Sequence, residues 1–207
     1  MTPANLTKSI RFLLIRHAVT SHLGERISGR MPGVHLTPAG LSSLQKLEKE
    51  IRAIGFREIF SSPLERCRET AEAIAGGKPV LLRDEFLELD FGEWTGLRFE
   101  ELHRLDEWRR YNRHRSAIRA PGGECAYDVQ YRAVRGLFEI QESFGYGVFT
   151  IVTHADVIRA LLCYVLQMSL DHLLRIHIEP ASITEIEFDE YGMRVLRVNW
   201  QPSEYEC

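Results

Sequence analysis

Short apolar runs alternate along this chain with longer segments of helical periodicity, and that alternation restricts the fold more than any other feature. Phe12 to Ile15 is an apolar run that stops abruptly at Arg16-His17. Such a run predicts a buried strand that delivers polar residues at its C-terminal edge. Thr37-Pro38 then reads as an N-cap followed by proline at the first helical position. Leu41, Leu44, Leu47, Ile51 and Ile54 follow at helical spacing, and Gly55 can stop the helix. Phe56 to Phe60 predicts a second strand, Ser62-Pro63 opens a helix running towards Gly76, and Pro79 to Leu82 predicts a short third strand. The stretch from Asp84 to Arg119 is irregular and rich in charge. Helical patterning returns from Ala126 to Phe144. Val148 to Val152 is a strongly apolar strand ending in Thr153-His154, and a helix from Asp156 to Leu166 follows. Ser182 to Phe188 and Met193 to Val198 alternate around a turn at Glu190-Tyr191-Gly192 and predict a terminal antiparallel pair. The expected fold is a three-layer α/β/α sandwich with a mostly parallel central sheet and a C-terminal antiparallel edge. In such sheets ligands bind beyond the carboxyl ends of the strands, where Arg16-His17 and Thr153-His154 both fall.

Composition narrows the function classes. A chain of 207 residues buries a sizeable core without metal or disulfide staples. It shows no internal repeat, low-complexity run or long linker, so one domain is expected. Lys plus Arg number 26 and Asp plus Glu 29, a formal charge of −3. That balance argues against a wholesale nucleic-acid or anionic-membrane binder. The longest apolar stretch, Val157 to Met168, is interrupted by Arg159 and Gln167 and is too short for a membrane helix. The N-terminal apolar run is too short for a signal-peptide core, so a cytoplasmic location is expected. Cys67, Cys125, Cys163 and Cys207 are scattered without a CxxC pair. They fit small buried apolar residues better than a disulfide framework or a zinc site.

Four segments carry chemistry. A neutral histidine with one oriented ring nitrogen can act as a nucleophile, and an adjacent arginine binds phosphate in a forked geometry. Arg16-His17 offers both. His154 precedes a helix whose free N–H groups and dipole favour an anion. In Ser61-Ser62-Pro63-Leu64-Glu65-Arg66-Cys67-Arg68 an arginine faces the same strand-end cleft, and spacing leaves Arg66 and Arg68 both open. Leu87-Glu88-Leu89-Asp90-Phe91-Gly92-Glu93-Trp94 sets three carboxylates among apolar and aromatic residues. A carboxylic acid there can keep a raised pKa and serve as a general acid. The competing reading is an acidic loop anchored by Phe91 and Trp94, and the residues alone do not choose among Glu88, Asp90 and Glu93.

In order, LLIRHAVT, SSPLERCRETA, LELDFGEWTG, PGGECAYDVQYR and FTIVTHADVIRALL resemble the motifs of the histidine phosphatase superfamily, also called phosphoglycerate mutase-like. The resemblance runs from about Phe12 to Phe188. It implies a single domain over 1–207 with a variable cap-like insertion at about 97–125. It implies that His17 is the nucleophile that becomes phosphohistidine, and that Arg16, Arg66 and His154 complete the phosphate pocket. It implies Glu88 as the proton donor. The implied reaction is hydrolysis of a small phosphate monoester, with a small phosphorylated metabolite as partner and no cofactor, metal, nucleic acid or membrane. Phosphoryl transfer needs positioning and charge neutralisation above all, which two arginines and two histidines can supply.

The chain departs from the family pattern at Ala18, Val19-Thr20, Leu23 and Ala155. The apolar Val19 and Leu23 put substrate contacts there in doubt and favour hydrolysis over phosphoglycerate mutase activity. A phosphate-binding protein without catalysis is the rival from another class, and it has no need of an aligned acid. Arg104, Arg109, Arg110, Arg113, Arg115 and Arg119 fall in the implied insertion. They read equally as attraction for a polyanionic substrate and as a solvated helix. His22 lies close to the Arg16-His17 segment and reads as a solvent-facing loop histidine ahead of a pocket-lining one, and His22, His35, His103, His114, His172 and His177 show no metal-ligand spacing.

Overall fold

The computed structural model describes residues 9–202, and Cys207 lies outside them. A six-stranded sheet has the order β3-β2-β4-β1-β5-β6. Its strands are β1 (Ile10–Arg16), β2 (Ile59–Ser61), β3 (Val80–Leu82), β4 (Gly147–Thr153), β5 (Ile183–Asp189) and β6 (Gly192–Trp200). β3, β2, β4 and β1 pair in parallel; β5 and β6 add antiparallel at the edge. The sandwich expected from the alternation is therefore present.

Two apolar layers cover the sheet because successive strand side chains point to opposite faces. Leu13 and Ile15 of β1 face one side with Leu44, Leu47 and Ile51 of α1 (Pro38–Ile54) and Cys67, Ala71 and Ile74 of α2 (Glu65–Ile74). Phe12 and Leu14 face the other, with Leu137 and Ile140 of α5 (Ala126–Phe144) and Ile158 and Leu161 of α6 (Ala155–Val165). Between β3 and α5 the chain makes two short 3₁₀ turns and the helices α3 (Phe99–Leu102) and α4 (Asp106–Arg113). No helix among the described residues is long and apolar enough to cross a membrane.

Local chemistry sets the element ends. The Thr37 hydroxyl accepts the Gly40 N–H at 3.0 Å, Pro38 occupies the first turn, and Gly55 ends α1 at φ 73°. Leu41 of the expected apolar stripe is exposed instead, because Gly40 presses α1 against the Val19 backbone. The second strand is shorter than Phe56 to Phe60 and lies later. The α2 helix starts at Glu65, since the Ser62 hydroxyl and Pro63 form a turn that accepts the Leu64 N–H. The last helix begins one residue before Asp156, directly after His154. Cys67, Cys125 and Cys163 are buried and unpaired.

The register matters most for the site. Arg16 pairs with Thr153 and Ser61 with Val152. His17, Ser62 and His154 therefore leave the sheet side by side at the ends of three neighbouring parallel strands.

Candidate active site

These strand ends open into a cavity of about 630 Å³ lined by Arg16, His17, Arg66, Glu88 and Asp156 among others. His17 is nearly buried, and its Nδ1 lies 2.8 Å from the Ala18 carbonyl oxygen. A carbonyl only accepts, so Nδ1 carries the proton and Nε2 keeps its lone pair. Burial, then the Arg66 and Arg16 charges, push the His17 pKa well below its ordinary value, so the ring is neutral. The Ala18 N–H donates to the Thr70 hydroxyl at 3.0 Å, which pins the backbone under the ring.

His154 is fully buried, 5.3 Å from His17 between ring centroids. Its Nε2 sits 2.9 Å from the Ser62 hydroxyl and 3.3 Å from the Cys67 sulfur. Burial and the Arg66 charge keep it neutral as well. It occupies the N-cap position of α6 without a side-chain capping bond, and with no exposed surface it lies behind the His17 ring and is not among the residues that line the cavity.

The two arginines hold unused donors. Arg66 is 1% exposed; one terminal nitrogen donates to the Gly29 carbonyl at 2.7 Å, and its Nε and other terminal nitrogen have no partner. Arg16 donates to the Ile178 carbonyl at 2.6 Å and leaves its buried Nε unpartnered. Buried charged donors without partners are costly unless a ligand completes them. Arg68 lies at the surface and reaches Glu72 at 3.9 Å, so only Arg66 of the two reaches the cavity.

Among the three carboxylates, only Glu88 lines the cavity. Burial, then repulsion from Asp156, raises its pKa to about 7. Its Oε1 accepts the Leu89 N–H at 2.9 Å, and its Oε2 lies 3.9 Å from His154 Nδ1. Asp90 accepts the Gly92 N–H at 2.9 Å and so shapes the turn, while Glu93 is exposed. Glu124 holds this loop in place: it accepts from Arg30, Arg132 and the Asp90 N–H. The two glycine-containing loops touch backbone to backbone. A Cβ on Gly92 would meet the Pro121 oxygen at 2.0 Å, and one on Gly123 the Asp90 oxygen at 2.2 Å.

Several site residues escaped the reading of the sequence. Asp156 accepts from Arg115 and from Arg159, each at 2.9 Å. Burial alone would raise its pKa, but the two guanidinium groups outweigh it and hold Asp156 at about 2. Arg115 is 3% exposed, so it is neither a surface charge nor free for a substrate. His22 lines the cavity, contrary to the solvent-facing expectation, because its Nδ1 is drawn to the Ser28 hydroxyl at 3.2 Å. Leu23 lines the cavity, whereas Val19 does not; the Val19 carbonyl accepts the Thr37 N–H at the start of α1. No cluster of three or more metal-ligating side chains occurs among the described residues.

Comparison with known proteins adds independent findings. The profile of the histidine phosphatase superfamily (branch 1) matches residues 12–201. A bifunctional protein of Mycobacterium tuberculosis is 34% identical over 91% of this chain and 53% of its own length. This chain thus spans about half the length of the first curated relatives that it matches. Phosphoserine phosphatase 1 of Hydrogenobacter thermophilus is 27% identical over 92% of each chain. A 2,3-bisphosphoglycerate-dependent phosphoglycerate mutase of Thermoplasma acidophilum is also 27% identical, over 86% of each. Among solved structures, a phosphoserine phosphatase variant from Entamoeba histolytica, in complex with phosphoserine, superposes with a TM-score of 0.82. It is 25% identical and covers 92% of this chain and 96% of that one.

Proposed function

The chain belongs to the histidine phosphatase superfamily, and from that premise we propose that it hydrolyses a small phosphate monoester, without a metal, through a phosphohistidine on His17. One observation carries the reading. Arg16 and Arg66, each with buried donors that have no partner, line the same cavity as His17, with its free Nε2, and the raised acid Glu88. The donors fit the equatorial oxygens of a phosphoryl group and neutralise its charge. His17 Nε2 attacks phosphorus, an N–P bond forms and the ester P–O bond breaks. Glu88 gives its proton to the departing alkoxide. Water then attacks the phosphohistidine while Glu88 takes the proton back, and inorganic phosphate leaves. A pKa of about 7 suits both directions near neutral pH. In this reading the chain acts as one domain, and residues 97–125 form a cap that supplies Phe99, Trp108 and Arg113 to the cavity wall.

Relatives named as phosphoserine phosphatases favour hydrolysis, and the apolar Leu23 on the cavity wall favours it over transfer to a second substrate. The test is release of inorganic phosphate from p-nitrophenyl phosphate in excess EDTA, by the wild type and by His17→Ala. Turnover that resists EDTA and falls at least about 10³-fold in the variant is expected. Substantial turnover in His17→Ala removes the nucleophile, and loss of activity in EDTA removes metal independence. With phosphoglycerate, an isomerised ester in place of inorganic phosphate would turn the reading to a mutase.

A further inference from the structure

A helix laid on a sheet needs one apolar stripe, and α5 has two. The first, with Ala126, Val129, Ala133, Leu137 and Ile140, packs into the core. The second is Tyr127, Tyr131, Val134 and Phe138. Tyr127 is 60% exposed, Tyr131 64% and Phe138 38%, and Val134 is partly buried. All four line one groove of about 360 Å³, whose other wall is Tyr164 of α6. The Gln130 amide, also in the groove, donates to the Ala160 carbonyl at 2.9 Å and ties the two helices together. Among the described residues the strand-end cavity shares no lining residue with this groove, so the groove is independent of the reaction proposed above.

Single surface aromatics need no explanation, but these are not scattered. Their spacing is four, three, four, the period of a coiled-coil seam. In the opposite layer, α1 turns Gln45, Lys46 and Lys49 to solvent over its middle instead. A spacing of four, three, four also reads the same in both directions. A second α5 laid antiparallel on the first therefore sets Tyr131 against Val134 of the second copy, and Tyr127 against its Phe138. Each contact then occurs twice about a two-fold axis, as a self-complementary interface requires. In that register Arg135 of one copy lies beside Asp128 of the other, so the rim meets with opposite charges. At roughly 200 Å² for a fully exposed aromatic side chain, the three aromatics bring about 300 Å² per copy before the rim is added. A standard stable interface takes about 800 Å² per partner, so the stripe is sized for a weak, reversible pair.

We propose that α5 is a self-association surface: two copies of this chain pair antiparallel through Tyr127, Tyr131, Val134 and Phe138 and form a reversible dimer.

Sedimentation equilibrium of the full chain from about 5 to about 500 μM tests it. The wild type is expected to pass from monomer to dimer over that range, with a Kd of about 10–100 μM. Tyr131→Glu sets a carboxylate against Val134 of the second copy and is expected to raise Kd at least about tenfold. Tyr131 is exposed in the single chain, so the urea midpoint of the variant stays near that of the wild type. The register is read by mixing Tyr131→Cys with Val134→Cys, both in a Cys207→Ser background, and oxidising with diamide. A disulfide-linked dimer is expected in the mixture and far less of it in either protein alone. Cross-linking needs no charged variant, so it decides the matter even where Tyr131→Glu unfolds. A wild type that stays monomeric at about 500 μM overturns the proposal. So does Tyr131→Glu that is folded and dimerises as tightly as the wild type, because the contact then lies on another face. A cross-link no more abundant in the mixture than in either protein alone overturns the antiparallel pairing.

Discussion

Glu88→Gln is expected to stabilise the protein at alkaline pH while it disables the reaction. Burial and the Asp156 charge raise Glu88 from its ordinary 4.5 to about 7. Between these two values the unfolded chain has lost the proton and the folded chain has kept it. Stability therefore falls as pH rises through that window, and the full cost stands above about pH 7. The shift corresponds to about 3 kcal/mol, from 1.36 kcal/mol per pKa unit. Glutamine cannot ionise, and its carbonyl still accepts the Leu89 N–H that Oε1 accepts at 2.9 Å. The gap between variant and wild type is then small at pH 5 and grows by about 2–3 kcal/mol at pH 8. Urea unfolding of both proteins at the two pH values, in buffer free of phosphate, measures it. On the activity side, esters with poor leaving groups slow at least about 10²-fold, and p-nitrophenyl phosphate slows far less, because only the former need a proton. A stability gap that is the same at pH 5 and pH 8 refutes the claim that this carboxyl is held high. Equal slowing of both esters refutes its role as the acid.

Asp156→Asn removes a negative charge that raises Glu88 and frees two positive ones, and both changes lower the Glu88 pKa. The alkaline limb of kcat against pH is expected about one unit lower, and a limb that stays or rises contradicts the assignment. Arg66→Lys cannot supply the guanidinium fork, so kcat/KM falls by about 10² or more. Inorganic phosphate at 100 Kd should stabilise the wild type by about 2.7 kcal/mol in thermal unfolding, and at the same phosphate concentration Arg66→Lys by much less. Gly123→Ala drives a Cβ into the Asp90 oxygen and is expected to cost about 3 kcal/mol in denaturant unfolding; an unchanged midpoint would show that the two loops can separate freely.

What was legible in the sequence is what physics writes locally. A buried parallel strand must be apolar on both faces, so Phe12–Ile15 and Val148–Val152 stand out. The abrupt switch to Arg16-His17 and Thr153-His154 marks where they meet the cleft. Thr37-Pro38 and Gly55 bracket α1 through hydrogen bonds within a few residues. The illegible parts depend on contacts distant in sequence. β2 has only three residues and is set by pairing with β3 and β4 rather than by its own apolar run. Asp156 and Arg115 are 41 residues apart, and nothing in either local pattern announces that they meet. The arginine-rich segment divides for the same reason: Arg115 is buried structure, Arg113 reaches the cavity, and Arg119 pairs with Asp128 at the surface.

The choice between Arg66 and Arg68 was decidable in principle. In α2 the buried positions are 66, 67, 70, 71 and 74, the stripe that packs against the sheet. Arg66 falls on that stripe with Cys67, Thr70, Ala71 and Ile74, and Arg68 falls off it. An arginine on an otherwise small or apolar stripe is forced into the core side, where it must find an anion or carry an unmet charge. Gly29 meets one of its nitrogens and leaves two unpartnered. The periodicity that builds the helix thus also selects the arginine, and its unfilled donors are the ones that the phosphate of the proposed reaction would complete.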